Sequence, residues 1–104
     1  MRRFDDAQQQ VEIVLRDDPR HAEAHQVLGA LLAGKGERPA AITEYRAALR
    51  LRPDFGRALV GLAQVLVAAG DRGEAAELLE RATSGQDPAV REQARSLLQQ
   101  IRGR

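Results

Sequence analysis

The sequence repeats itself at an offset of 34 residues. LRDDPRHAEAHQVL, starting at Leu15, is echoed by LRLRPDFGRALVGL, starting at Leu49. Leu15 matches Leu49, Arg16 matches Arg50, Pro19 matches Pro53, Ala24 matches Ala58, Leu28 matches Leu62, and Leu32 matches Leu66. The correspondence runs on through Gly36 and Gly70, Arg38 and Arg72, Ala41 and Ala75, and Ala48 and Ala82. A period in the range of about 20–50 residues is the signature of stacked repeats, in which each unit buries its apolar face only against its neighbours.

Each period holds two helical patterns. Ala24, Leu28, Leu31 and Leu32 form one apolar stripe; GKGERP, from Gly34 to Pro39, breaks it. Ala41, Ile42, Tyr45, Ala48 and Leu49 form a second stripe at helical spacing, and Pro53 closes the unit because proline cannot continue a helix interior. The next period has Leu59, Leu62, Val65 and Leu66, then the turn AAGDRGE, then Ala75, Leu78, Leu79 and Ala82. In that turn Gly70 is suited to a left-handed conformation, and Asp71 with Glu74 three residues on reads as a capping box. Alanine at 41, 48, 75 and 82, with Gly29 and Ala63 on the facing helices, is what closely crossing antiparallel helices require. Thr83 and Gly85 stand where the first unit has Leu49 and Leu51, so this helix is predicted to stop about a turn earlier. Asp87 and Pro88 then open a last helix as N-cap and first-turn residue. Its apolar stripe is Val90, Ala94, Leu97, Leu98 and Ile101, and its other face is polar. The fold class that follows is all-α, a helix-turn-helix solenoid in one domain.

Composition narrows the chemistry. The chain has no cysteine, which removes disulfides and thiolate catalysis. Its net charge of +1, with acids and bases interspersed, gives no footprint for nucleic acid or an anionic membrane surface. The start, MRRFDDAQQQ, turns polar where a secretory signal would turn apolar, and no stretch is apolar enough to span a membrane. A cytoplasmic location is the default expectation. The aromatic residues are only Phe4, Tyr45 and Phe55, too few for a stacking platform.

The pattern resembles the tetratricopeptide repeat. His25, Leu28-Gly29, Leu32, Ala41, Tyr45, Ala48 and Pro53 occupy that family's favoured slots, as do Leu59, Leu62-Ala63, Leu66, Ala75, Leu79 and Ala82 in the next unit. Residues 2–19 resemble the second helix of a unit whose first helix is not in the chain, with Phe4, Ala7, Val11, Val14 and Pro19 in register. The expected organisation is a half repeat at 2–19, repeats at 22–53 and 56–86, and a capping helix at 87–102.

The resemblance implies that the chain holds another protein or peptide in a groove lined by the first helix of each unit. Projected onto this sequence, the lining is Glu23, Gln26, Val27 and Ala30, then Arg57, Val60, Gln64 and Val67, with Arg95 and Gln99 from the cap. One family use is a clamp of Lys, Asn and Arg on a chaperone's C-terminal carboxylate. The matching positions here include Gln26, Ala30, Val60 and Gly61, so the clamp is absent from this expectation. The half repeat should leave Phe4, Ala7 and Val11 partly uncovered, an edge suited to a second copy or to upstream sequence. The alternative function is a regulatory or targeting segment of a larger enzyme.

A hidden active site is disfavoured residue by residue. Ser84 and Ser96 are far in sequence from either histidine, and the acid pairs Asp5-Asp6 and Asp17-Asp18 fall near helix ends, where solvated acids are common. Gly34 and Gly36 follow no strand and precede no GK[ST]. HAEAH, residues 21–25, carries both histidines at the spacing of paired zinc ligands. The chain has no third histidine and no cysteine, and Glu23 does not directly follow the first histidine as a metalloprotease would need. The repeat register makes His21 a turn residue and His25 a packing residue. No catalytic, cofactor or metal site is expected.

Overall fold

The computed structural model describes residues 2–103. Six helices account for the described secondary structure: α1 (Arg2–Asp17), α2 (Ala22–Gly34), α3 (Arg38–Leu51), α4 (Gly56–Ala68), α5 (Arg72–Ala82) and α6 (Pro88–Arg102). Each helix packs on the next in sequence. In addition α2 touches α4, and α4 touches α6. Those extra contacts define two layers, with α2, α4 and α6 inside and α1, α3 and α5 outside. The described residues form an elongated body of 41 × 27 × 20 Å.

The turns inside the two repeats are copies. Gly36 and Gly70 have φ of +82° and +94°, the left-handed region that a β-carbon disfavours. Each follows a helix end closed by the same bonds. Glu37 N donates to Leu32 O at 2.9 Å and Asp71 N to Leu66 O at 2.8 Å, so carbonyls that the helix leaves unpaired find donors. Asp71 caps α5, accepting from Glu74 N at 3.2 Å. The expected capping box is only half formed. The Glu74 carboxylate turns instead to the Arg46 guanidinium, at 2.8 and 3.2 Å. A forked, charge-assisted pair outcompetes one neutral backbone N–H, and here it ties the outer helices α3 and α5 together. The Arg46 hydrogen bond also holds the Glu74 carboxyl below the usual range.

The early stop of the second unit is present: α5 ends at Ala82, the counterpart of Ala48, whereas α3 continues to Leu51. Asp87 caps α6 by accepting from Ala89 N at 2.9 Å, with Pro88 in the first turn.

The core is a column of small and large residues in alternation. Ala41, Ala48, Ala58, Ala63, Ala75 and Ala82 are buried at the helix crossings, with Leu59, Leu62 and Leu79 between them. Tyr45 is the largest piece. A β-carbon on Gly29 would stand 3.0 Å from its ring, and one on Gly61 would stand 2.5 Å from it. The ring therefore lies in a slot cut by one glycine on α2 and one on α4. Gly29 is legible in the sequence as a close-crossing residue; Gly61 is not, because its 34-residue counterpart is Val27. The pairing explains the difference. Where the outer helix carries Val11, the inner helix carries Val27; where it carries Tyr45, the inner helix must shrink to Gly61.

Burial raises the Tyr45 phenol above its ordinary pKa. In the folded chain the proton is held more tightly than in the unfolded chain, so stability is complete below about pH 10 and is lost as pH rises through the raised value. Tyr45 is the only tyrosine, so tyrosinate absorbance reads this site directly. The expected titration midpoint of the native chain lies above that of the denatured chain, and Tyr45→Phe should remove this component of alkaline destabilisation. Coincident midpoints would contradict the buried slot.

Candidate protein-binding groove

The inner helices create a groove whose floor is the outer layer. Of the ten residues expected to line it, Glu23, Val27, Ala30, Arg57, Gln64, Arg95 and Gln99 are exposed, and Gln26 and Val67 are half-buried. Val60 is a correction. It is 4% exposed and belongs to the core. The reason is that α4 is the central helix, touched by α2, α3, α5 and α6, so residues 58–63 are buried without interruption. Gly61 is buried for the same reason. What remains accessible on the inner face of α4 is Arg57, Gln64 and Val67.

Three cavities mark the groove. The first, about 330 Å³, lies beside α1 and α2, with Val11, Val14, Ala24 and Val27 as its apolar wall and Arg57 at its rim. The second, about 260 Å³, has the Tyr45 ring as part of its lining, with Ala33, Val65 and Gln64 around it and Arg38 at the opening. The third, about 280 Å³, lies between α4, α5 and α6, where Ala63, Val67, Leu79, Leu97 and Ile101 surround it with Gln64 and Arg72. Pockets that take cofactors and drug-sized ligands run to about 300–1,000 Å³. The three cavities lie at the lower edge of that range or just below it.

The cap contributes other residues than expected. Leu97, Gln100 and Ile101 reach the third cavity; Arg95 and Gln99 do not. The linker TSGQDP is one residue longer than its counterpart, so α6 enters the stack one position out of the 34-residue register. Arg95 instead lies 3.6 Å from Glu92 on the polar side of its own helix. Ile101, named from the sequence only as a stripe residue, thus also lines the cavity, and the buried Leu79 underlies it. Their apolar spacing could not reveal this, because one stripe serves core and cavity alike.

Charges along the groove are partly committed. Arg57 donates to Glu23 at 3.1 Å, joining positions 34 apart on α2 and α4. Both side chains are more than half exposed, so this bond is weak and free to reorganise. A larger cleft of about 730 Å³ lies where the inter-repeat turns meet, but its cations are engaged. Arg52 stacks 4.2 Å over the Phe55 ring, and Arg81 donates to Pro53 O at 2.5 Å. That cleft stitches the turns.

The residues of the expected self-association edge are partly uncovered. Phe4, Ala7 and Val11 are half-buried, because α1 lays this face on α2. A β-carbon on Gly34 would stand 2.9 Å from the Phe4 ring. Lys35 fastens the same contact, donating to Asp5 Oδ1 at 3.1 Å and Gln8 Oε1 at 3.0 Å, and the Asp5 hydrogen bond raises its pKa. Among the described residues the most exposed large apolar side chains are Ile13, Val14 and Val27, at 51%, 41% and 40%.

Both histidines have structural work. His21 Nδ1 accepts from Ala24 N at 3.0 Å and so caps α2, one turn residue in the place of the usual Ser or Asp. His25 Nε2 donates to Pro19 O at 2.8 Å, and its Nδ1 stands 2.8 Å from Glu44 Oε1. It clips the incoming turn and α3 to α2. Its counterpart Leu59 does the same job by apolar burial.

Comparison with known proteins follows this geometry. Two tetratricopeptide repeat family models match, one over residues 32–101 and one over residues 1–37. A probable biofilm formation methyltransferase of Pseudomonas putida, WspC, is 38% identical over 76 residues, which is 73% of this chain but 18% of that protein. This chain therefore spans less than a fifth of the curated relative it matches. Among solved structures, PcrH in complex with the chaperone binding region of PopD superposes with a TM-score of 0.89 at 21% identity, covering 97% of this chain and 80% of that one. SycD, a type III secretion translocator chaperone of Yersinia enterocolitica, does so with a TM-score of 0.87 at 21% identity, covering 95% and 72%. At these identities the likeness is one of fold.

Proposed function

The chain belongs to the tetratricopeptide repeat family, and on that premise we propose that it is a protein-interaction module that holds a segment of a partner protein in the groove of α2, α4 and α6. The observation that carries this reading is the row of three small cavities, each lined by inner helices and by a residue of an outer one. The cavities offer shape and apolar surface, with Ala63, Val67, Leu97 and Ile101 lining one and Val11, Val14 and Val27 another. The solved structure of PcrH with the chaperone binding region of PopD supports the reading by fold. A clamp on a C-terminal carboxylate is not part of it: Gln26 and Ala30 carry no cation, and Val60 and Gly61 are buried.

The test is selection of a displayed library of random peptides against the purified chain. Peptides are expected to enrich, and Val67→Glu, which sets a charge into the third cavity, should weaken the best of them by roughly tenfold or more. Arg50→Glu on the exposed outer face should leave binding unchanged. Circular dichroism on each variant separates lost binding from lost fold. No enrichment, or equal sensitivity to both substitutions, would overturn the proposal.

A second reading is favoured by one observation. The match to WspC makes a regulatory or targeting segment of a larger methyltransferase a coherent alternative. In that case the groove would hold a segment of its own parent protein, and library peptides would compete with that segment for the same cavities.

A further inference from the structure

The second and third cavities share three lining positions of the repeat. Shifting by 34 residues turns Ala33 into Val67, Arg38 into Arg72 and Tyr45 into Leu79. In both, an outer helix supplies a buried residue, Tyr45 or Leu79, and the arginine that opens that helix is among the lining residues. Gln64 lines both cavities, so they are adjacent positions in one groove. Neither is lined by a carboxylate. Among the described residues Arg38 and Arg72 have no ion-pair partner, in contrast to Arg46, Arg57, Arg95 and Arg102. The acids closest in sequence are committed elsewhere: Glu37 lies 3.6 Å from Lys35, Asp71 caps α5, and Glu74 holds Arg46.

We infer that the segment held in the groove is acidic, inserting one apolar side chain into each of these two cavities and setting a carboxylate against Arg38 and against Arg72. The inference rests on the interaction-module reading and names the chemistry of its partner. Two unpaired cations beside two apolar cavities, without a competing carboxylate, form a pattern complementary to alternating apolar and acidic residues. Such complementarity acts on selectivity and encounter more than on affinity, and it rejects basic segments. Packed helices lie about 8–10 Å apart. An extended chain of the polyproline type, rising about 3.1 Å per residue with three residues per turn, covers that distance between positions i and i+3 on one side. The two apolar anchors are therefore three residues apart, each with Asp or Glu beside it.

The same random-peptide selection tests this, read by sequence. Enriched peptides should share two apolar residues spaced by three, with adjacent acids and a net negative charge. A synthetic peptide of that kind should bind the R38E/R72E double variant about tenfold or more weakly than the parent chain. Its binding to R16E/R50E, which makes the same change in net charge at exposed positions outside these cavities, should be unchanged. Replacing the peptide's acids with lysine should restore binding to R38E/R72E. Enrichment of neutral or basic peptides, or equal losses in the two double variants, would overturn the acidic-partner inference. If Val67→Glu still abolished binding in that case, the groove itself would stand. A selection that enriches nothing would overturn both.

Discussion

Gly61→Val should lower the stability of the chain by about 2–3 kcal/mol, the upper part of the range for overpacking a core. For a domain of this length that is roughly 8–24 °C in melting temperature. The sign is the informative part. Glycine is the poorest helix former after proline, so at an open helical position the replacement would gain several tenths of a kcal/mol. Here the added β-carbon alone would stand 2.5 Å from the Tyr45 ring. The ring has little room to swing aside, because it also lies against Gly29, where a β-carbon would stand 3.0 Å away. Steric cost therefore overrules propensity. Tyr45→Leu installs the residue that the next repeat has at this slot, Leu79. Combined with Gly61→Val it should recover much of the loss, giving a strongly non-additive double-mutant cycle. Thermal and urea unfolding followed by circular dichroism measure all three variants. Additive losses would mean that Gly61 is glycine for a reason other than the ring.

Leu79→Ala should cost about 2–5 kcal/mol, the range for emptying a fully packed leucine site. Leu79 is 0% exposed and underlies the third cavity. The chain's whole stability is of the order of 5–15 kcal/mol by the usual allowance per residue, so this one change removes a large share of it. The repeat supplies an internal control. Val11 occupies the same slot in the N-terminal half repeat but is only half-buried, so Val11→Ala should cost about 1 kcal/mol, a fraction of a buried side chain's transfer energy. Urea midpoints for the two variants, measured side by side, should differ by a factor of at least two in free energy. Similar losses would show that the half repeat is packed as tightly as the interior, contrary to the exposure of Ile13, Val14 and Val27.

The WspC match leaves the chain's physical behaviour unchanged but bears on its use. The matched region is 18% of that protein. If the proposed groove holds a segment, that segment is to be sought inside a parent protein as well as outside it.

The 34-residue echo, read alone, carries the helices, their order and their turns, because these depend on short-range features. Gly36 and Gly70 take positive φ for want of a β-carbon, Pro53 stops a helix for want of an N–H, and Asp87 caps the next one with its own carboxylate. Such signals act within a few residues and survive in any sequence read linearly. The early end of α5 and the roles of His21 and His25 as turn and packing residues were legible for the same reason.

Tertiary structure decided which apolar residues face a cavity and which face the core. A stripe at helical spacing shows that a face is buried but not how many helices share it. Val60 is core because α4 has four neighbours, while Val27, at a similar point on α2, is 40% exposed. Gly61 is glycine because a ring from another helix fills its place. Glu74 leaves its own helix end because Arg46, 28 residues away, offers a stronger bond. Each of these outcomes depends on distances between helices. Those distances are set by the volumes of side chains that meet only once the repeats stack.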